Sequence, residues 1–231
     1  NMHTYSEMNK FLSYKFNLDA VNDNPINTLN KLNNNQISLA FISEDIFLDA
    51  CNGINSFSKP LKNLRFIVGL CYELFYFIFP GSSEVNSLDD LKDKKKKFKI
   101  GTTSKNSISD IVFKKLKSMY QLESVEYTNY STNELFNKFY RNELDGIFYI
   151  TGIFDPYILN ILDLKSIKFL ELETIKLIKS FFSKVIPKKI DVNNYEIKRL
   201  NSKEDIDNKQ KYTGLTDTLG YRILLVTNKS T

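Results

Sequence analysis

"FKIGTTSKNSISDIVFKKL", residues 98–116, opens as a strand, crosses six small or polar residues and resumes as an amphipathic helix. Strand, turn and helix in that order form the repeating unit of an α/β fold. A local reason for the small residues is that Ser and Thr cap helices and Gly101 lets the backbone turn. A functional reason is that a helix N-terminus exposes unpaired N–H groups and partial positive charge. Small hydroxyl side chains around it suit an anionic or carboxylate ligand.

The same alternation extends in both directions. Residues 4–14 read as a helix, 15–21 as a strand, 25–35 as a helix opened by Pro25, 37–42 as an apolar strand, and 44–53 as a helix stopped by Gly53. "LRFIVGLCYELFYFIFP", 64–80, reads as two strands or one long strand, and "SLDDL", 87–91, as a short helix. Beyond the opening stretch come a strand at 124–129, a helix at 131–142, a strand at 144–150, a helix at 155–163 and a strand at 167–172. Strands separated by helices of this length pair in parallel through crossovers, so the class is α/β.

Two stretches look alike. "TLNKLNNNQISLAFI", 28–42, and "ELFNKFYRNELDGIFYI", 134–150, each run through an amphipathic helix, a polar break and a buried strand. The expectation is two lobes, each a small sheet flanked by helices, with a cleft between them and closure by a hinge. Lobe 1 comprises residues 1–82 with a return segment at 215–231, and lobe 2 residues 83–214. The crossings are expected at 80–86 and 212–220, both rich in small and turn-forming residues.

With 231 residues, 42% hydrophobic and 13% aromatic, the chain can bury a substantial core. The net charge of +5 is partly the work of "KDKKKKFK", 92–99, read as a solvated loop, and it falls well short of a nucleic-acid-binding face. "NNNQ", 33–36, reads as a compositional habit. Cys51 and Cys71 lack a CxxC partner or a nearby His, so they read as buried small apolar residues or as a disulfide, and no metal site assembles from them. His3 stands alone near the N-terminus, which argues against triads and histidine acid–base chemistry. The longest apolar run, 74–79, is strand-sized, and no signal peptide is visible.

Four stretches carry a resemblance: "ISLAFISEDIFLDACNG", 37–53; "SLDDLKDKKKKFKIGTTSKNS", 87–107; "NELDGIFYITGIFDPYI", 142–158; and "SKVIPKKIDVNNY…TDTLGYRILLVTN", ending at 228. Their order resembles that of TAXI-type solute receptors of TRAP transporters. These are members of the type II periplasmic-binding-protein fold, whose broader relatives include the NMT1/THI5-like proteins. In that family a first strand and its glycine-rich turn precede the point where this chain starts, and helices follow the point where it stops. The resemblance therefore implies a core without both ends.

It also implies a ligand site. The family's helix-start segment falls on Gly101, Thr102, Thr103, Ser104, Lys105, Asn106 and Ser107, where Lys105 and Asn106 stand in place of a small glycine-serine pair. Lys105 either pairs with a ligand carboxylate or fills the pocket. The first-lobe segment falls on Ser43, Glu44 and Asp45, the start of the long strand pair on Tyr72 and Glu73, and the second-lobe strand end on Thr151 and Gly152. Structural readings stand beside these: Ser43 and Asp45 as helix caps, 102–107 as a capping turn, Tyr72 as strand surface.

The implied function is a binding protein holding a small carboxylate-bearing solute such as an amino acid or dicarboxylate. It has no catalytic residue, metal or cofactor, engages membrane transporter subunits, works as a monomer outside the cytoplasmic membrane, and does not bind nucleic acid. The alternatives are a scaffold that has lost its ligand and serves as a structural or interaction module, and an enzyme on the same fold using Lys105, Glu73 or Asp45.

Overall fold

Alternating apolar residues along "LFYFIF" set the architecture, because successive strand side chains point to opposite faces and both faces must be covered. The computed structural model describes residues 23–152, 155–164, 166–172, 186–191 and 215–230. The helix expected at 4–14 and the strand at 15–21 lie outside the described residues. The chain packs as two compact units, one of residues 1–71 with 223–231 and one of residues 72–222. It passes between them inside two long strands, at Cys71/Tyr72 and at Arg222/Ile223.

In the first unit, α1 (Pro25–Asn33), β1 (Leu39–Ser43) and α2 (Glu44–Asn52) follow one another. The last strand, β8 (Leu215–Asn228), pairs antiparallel with β1 through residues 223–227. Leu29 and Leu32 of α1, Ala40 and Ile42 of β1, Ile46 and Ala50 of α2, and Ile223 and Val226 of β8 are buried. Asn228 fixes the return, its Nδ2 donating to Leu32 O at 2.7 Å and Asn33 O at 3.0 Å, which satisfies carbonyls that the end of α1 leaves open. The part of β2 (Leu64–Pro80) that belongs to this unit is exposed at Phe66, Ile67, Val68 and Leu70.

The second unit holds the rest of β2, then β3 (Phe98–Thr102), α3 (Ile108–Met119), β4 (Val125–Asn129), α4 (Thr132–Tyr140) and β5 (Gly146–Gly152). These are followed by α5 (Pro156–Leu164), β6 (Ile167–Phe169), β7 (Ile186–Asp191) and residues 215–222 of β8. Its sheet runs β7-β8-β2-β5-β3-β4, with β6 also on β2. β3 pairs parallel with β4 and β5, but β2 is antiparallel to β5 and β6, and β7 is antiparallel to β8. The sheet is therefore mixed, which corrects the expectation of parallel pairing throughout: β2 enters from the other unit and not through a crossover helix.

Each sheet face has its own core. On one, Phe75, Phe77, Phe79, Ile100, Phe148 and Ile150 pack with Val112, Phe113 and Leu116 of α3. On the other, Leu74, Tyr76, Ile78, Ile147 and Tyr149 pack with Leu135, Phe136 and Phe139 of α4 and with Ile158 and Ile161 of α5. Phe148 meets Phe77 edge-on at 5.6 Å and Phe75 at 5.9 Å, a geometry that suits the ring quadrupole.

Four helices end in the same way. A residue in the left-handed conformation follows α1 (Asn35, φ 57°), α2 (Gly53, φ 65°), α3 (Gln121, φ 53°) and α4 (Asn142, φ 58°). In each the next N–H reaches back five residues, Gln36 to Lys31 O, Ile54 to Asp49 O, Leu122 to Lys117 O and Glu143 to Lys138 O. Asn35 thus takes the place usually filled by glycine, and "NNNQ" is more than a compositional habit.

Other expectations shift. Residues 64–80 are one continuous strand, "SLDDL" yields only a 3-10 turn at Asp90–Lys92, and the strand at 167–172 stops at Phe169. Residues 215–220, expected within a turn-rich crossing, are strand paired to β7. Cys51 is half-buried and Cys71 exposed, with no disulfide between them, because Cys71 falls in the exposed part of β2. The lysines of 92–97 meet surface carboxylates, Lys94 to Glu123 at 2.9 Å, Lys96 to Glu84 at 2.6 Å and Lys97 to Glu126 at 2.9 Å. Among the described residues no helix is long and apolar enough to cross a membrane.

Candidate functional site

Register places the second unit's candidates along one edge of its sheet. Thr102 ends β3 and is paired with Asn129 and Phe148, while Thr151 lies opposite Leu74 and Gly152 opposite Glu73 near the end of β5. Since β3 and β5 run in parallel, their C-terminal ends lie at the edge where Tyr72 and Glu73 begin this unit's share of β2. Loops at such strand ends are where open α/β sheets bind ligands.

Thr102 and Thr103 are buried, and among the described residues the Thr102 Oγ1 has no hydrogen-bond partner. Gly101 gives room to the leucines packed over it, since a Cβ would meet Leu135 Cδ1 at 2.5 Å and Leu144 Cδ1 at 2.6 Å unless those side chains moved. Thr103 Oγ1 lies 2.7 Å from Ser107 Oγ, and Ser107 caps α3 by accepting Asp110 N–H at 3.2 Å. Asn106 adopts a left-handed φ of 63°, which asparagine tolerates better than most residues. Ser104 and Lys105 are exposed, and among the described residues Lys105 makes no ion pair.

Asp110 organises this loop and was missed among the candidate residues. Fully buried at the start of α3, its carboxylate accepts from Asn106 N–H at 2.7 Å, Lys114 Nζ at 2.7 Å and Asn129 Nδ2 at 2.9 Å. Asn129 Nδ2 also donates to Thr103 O at 2.8 Å. The signal was present in the sequence, because Ser107 and Asp110 have capping-box spacing. The helix tip therefore already carries an internal carboxylate, and an incoming anion would meet it.

Thr151 leads to a second internal carboxylate. Its Oγ1 donates to Asp155 Oδ2 at 2.8 Å, Tyr149 OH donates to the same oxygen at 3.1 Å, and Asp155 Oδ1 accepts Tyr157 N–H at 2.9 Å. Burial, reinforced by the Asp155 charge, holds the Tyr149 phenol far above its ordinary range, so Tyr149 is a neutral donor at physiological pH. Tyr72 is 37% exposed, with Lys188 Nζ 3.6 Å from its ring centroid. Lys188 was also missed, and nothing local in "IPKK" marks it.

In the first unit, Ser43 and Asp45 are buried at the β1–α2 junction. Ser43 occupies the N-cap position of α2, yet its side chain makes no capping bond and its Oγ has no partner among the described residues. Ser43 and Thr102 thus stand at matching places in their own units, as the last residue of a strand with an unpaired buried hydroxyl. Hydroxyls, amides and a lysine can bind and orient a polar solute. Among the described residues no group of three or more His, Cys, Asp or Glu is placed to hold a metal ion.

The fold of the described residues, a mixed sheet flanked by helices, is one that solved periplasmic binding proteins share. The structure is similar to the glycine betaine/L-proline-binding protein ProX of Borrelia burgdorferi, at 17% identity and a TM-score of 0.53 over 72% of this chain and 62% of that one. It is also similar to the sulfonate-binding protein SsuA of Methylobacillus flagellatus, at 14% identity and 0.45 over 87% and 45%, and to truncated arginine-bound ArgBP of T. maritima, at 9% and 0.47 over 92% and 70%. The chain spans about half the length of the first solved structures it matches, 45% to 57% of them. No curated protein matches it. A sequence model of the NMT1-like family matches residues 6–207. The chain belongs to the NMT1-like family.

Proposed function

We propose that the protein is a solute receptor that closes two lobes, residues 1–82 with 215–231 and residues 83–214, over a small carboxylate-bearing ligand such as an amino acid or a dicarboxylate. The observation that carries this reading is the pair of buried hydroxyls at strand ends, Ser43 Oγ and Thr102 Oγ1, which have no hydrogen-bond partner among the described residues. A hydroxyl buried without a partner costs stability, so its place at a strand end is best accounted for by a polar group that binds there. Contacts are assigned to Ser43, Asp45, Tyr72, Thr102, Thr103, Ser104, Lys105, Asn106, Ser107 and Thr151. Hinge motion is assigned to residues 80–86 and 212–220, where the chain crosses between these two lobes. The receptor is of TAXI type, works outside the cytoplasmic membrane as a monomer, hands its solute to TRAP-type transporter subunits, and catalyses no reaction.

A melting-temperature screen against amino acids, dicarboxylates, sulfonates, glycine betaine and nucleosides tests this, because a ligand bound only by the folded state stabilises it by about 2.7 kcal/mol at a hundredfold excess over Kd. At least one acid of the panel should raise the melting temperature by several degrees. A second reading, a scaffold that has lost its ligand, is favoured by Asp110, which already takes the Asn106 N–H at the α3 tip. A flat screen at millimolar concentration decides for it.

A further inference from the structure

Lys188 lies on β7 and Tyr72 on β2, with β8 between those two strands. The lysine reaches over β8 because residue 220 is glycine: a Cβ there would come within 3.2 Å of Lys188 Cγ and 2.9 Å of Glu73 O. Strand alternation agrees with this geometry. Leu74 and Ile190 both enter the core shared with α4 and α5, so Tyr72 and Lys188, each two residues away, face the same side. Thr151, paired with Leu74, stands on the same edge and beside the same core.

The ammonium is 3.6 Å from the ring centroid, Lys188 is half-buried as a residue, and among the described residues no carboxylate or carbonyl bonds to its ammonium. The ring holds its position, and among the described residues its three N–H donors have no acceptor. A quaternary ammonium seeking an aromatic face would find this one occupied by a like charge. An oxyanion head would find a preset donor. Lys105, exposed in water, supplies a screened and mobile charge instead.

We propose that Lys188, seated on Tyr72, is the charge-selecting residue of the solute site and binds the oxyanion head, carboxylate or sulfonate, of the ligand. The assignment rests on the receptor reading above.

Calorimetric titration with succinate, glutamate, ethanesulfonate and choline tests it on wild-type protein, Lys188→Met, Lys188→Arg and Tyr72→Leu. The tightest acidic probe should lose at least about tenfold in affinity with Lys188→Met, several-fold with Tyr72→Leu and less than about threefold with Lys188→Arg. Unchanged binding in a folded Lys188→Met variant overturns the proposal and leaves the receptor reading standing. Should that variant not fold, unchanged binding in Tyr72→Leu overturns it equally. Wild-type protein that binds choline and none of the acids also overturns it, whereas wild-type protein that binds none of these probes or of the broader panel removes both readings.

Discussion

The carboxylate of Asp110 accepts the backbone N–H of Asn106 at 2.7 Å, closing the turn that leads into α3. Lys114 and Asn129 hold the same carboxylate, so one fully buried side chain ties the turn, the helix and the end of β4 together. Asp110→Ala would leave a half-buried amide and two side-chain donors without their acceptor. A loss of about 2 kcal/mol is expected in urea denaturation, with the midpoint falling and the slope unchanged. Asp110→Asn, which keeps one acceptor oxygen, should lose less.

Gly53 ends α2 at a φ of 65°, and a Cβ there would run into the backbone of Lys59 and Pro60. Asn35, Gln121 and Asn142 adopt the same left-handed conformation with side chains present, so steric contact is what sets Gly53 apart. Gly53→Ala should therefore cost more than the about 1 kcal/mol of left-handed backbone strain alone. Asn142→Gly should be neutral or slightly stabilising. Thermal unfolding of the two variants checks the contrast.

Periodicity made the α/β alternation readable, because the apolar residues of 108–116 and 134–139 repeat at helical spacing and those of 74–79 fill a strand. Strand direction was not readable. Whether β2 lies parallel or antiparallel to β5 depends on where a 17-residue strand enters the sheet, and local pattern carries no such information. The α3 turn was readable from Ser107 and its small neighbours, and capping-box spacing pointed to Asp110. Lys188 was not, since its meeting with Tyr72 joins residues far apart in the chain across an intervening glycine.

Tyr149 gives the protein an alkaline limit. Its phenol is buried and hydrogen-bonded to Asp155, so its folded-state pKa lies above the unfolded value of about 10. The proton is held more tightly in the folded state, and the associated stability is complete below about pH 10 and is lost as the pH rises above it. Unfolding free energy should fall there by up to about 1.4 kcal/mol per pH unit from this group alone. Tyr149→Phe should reduce that slope and cost about 1 kcal/mol at neutral pH through loss of the Asp155 bond. Tyr127, also raised by burial, leaves some slope behind. Near-ultraviolet titration should show one fewer tyrosine ionising late.

Thr102→Val separates stability from binding. The side chain is fully buried and its Oγ1 has no partner among the described residues, while valine has nearly the same shape without the hydroxyl. Replacing an unpaired buried hydroxyl by a methyl should stabilise the fold by about 1 kcal/mol. If the hydroxyl serves the proposed solute, the same change should weaken the best ligand of the melting-temperature screen several-fold, giving a variant that is more stable and binds less well. Stability and affinity measured on one preparation decide the matter: a gain in stability with undiminished binding removes Thr102 from the site, and a loss of stability shows that the hydroxyl has a partner within the fold.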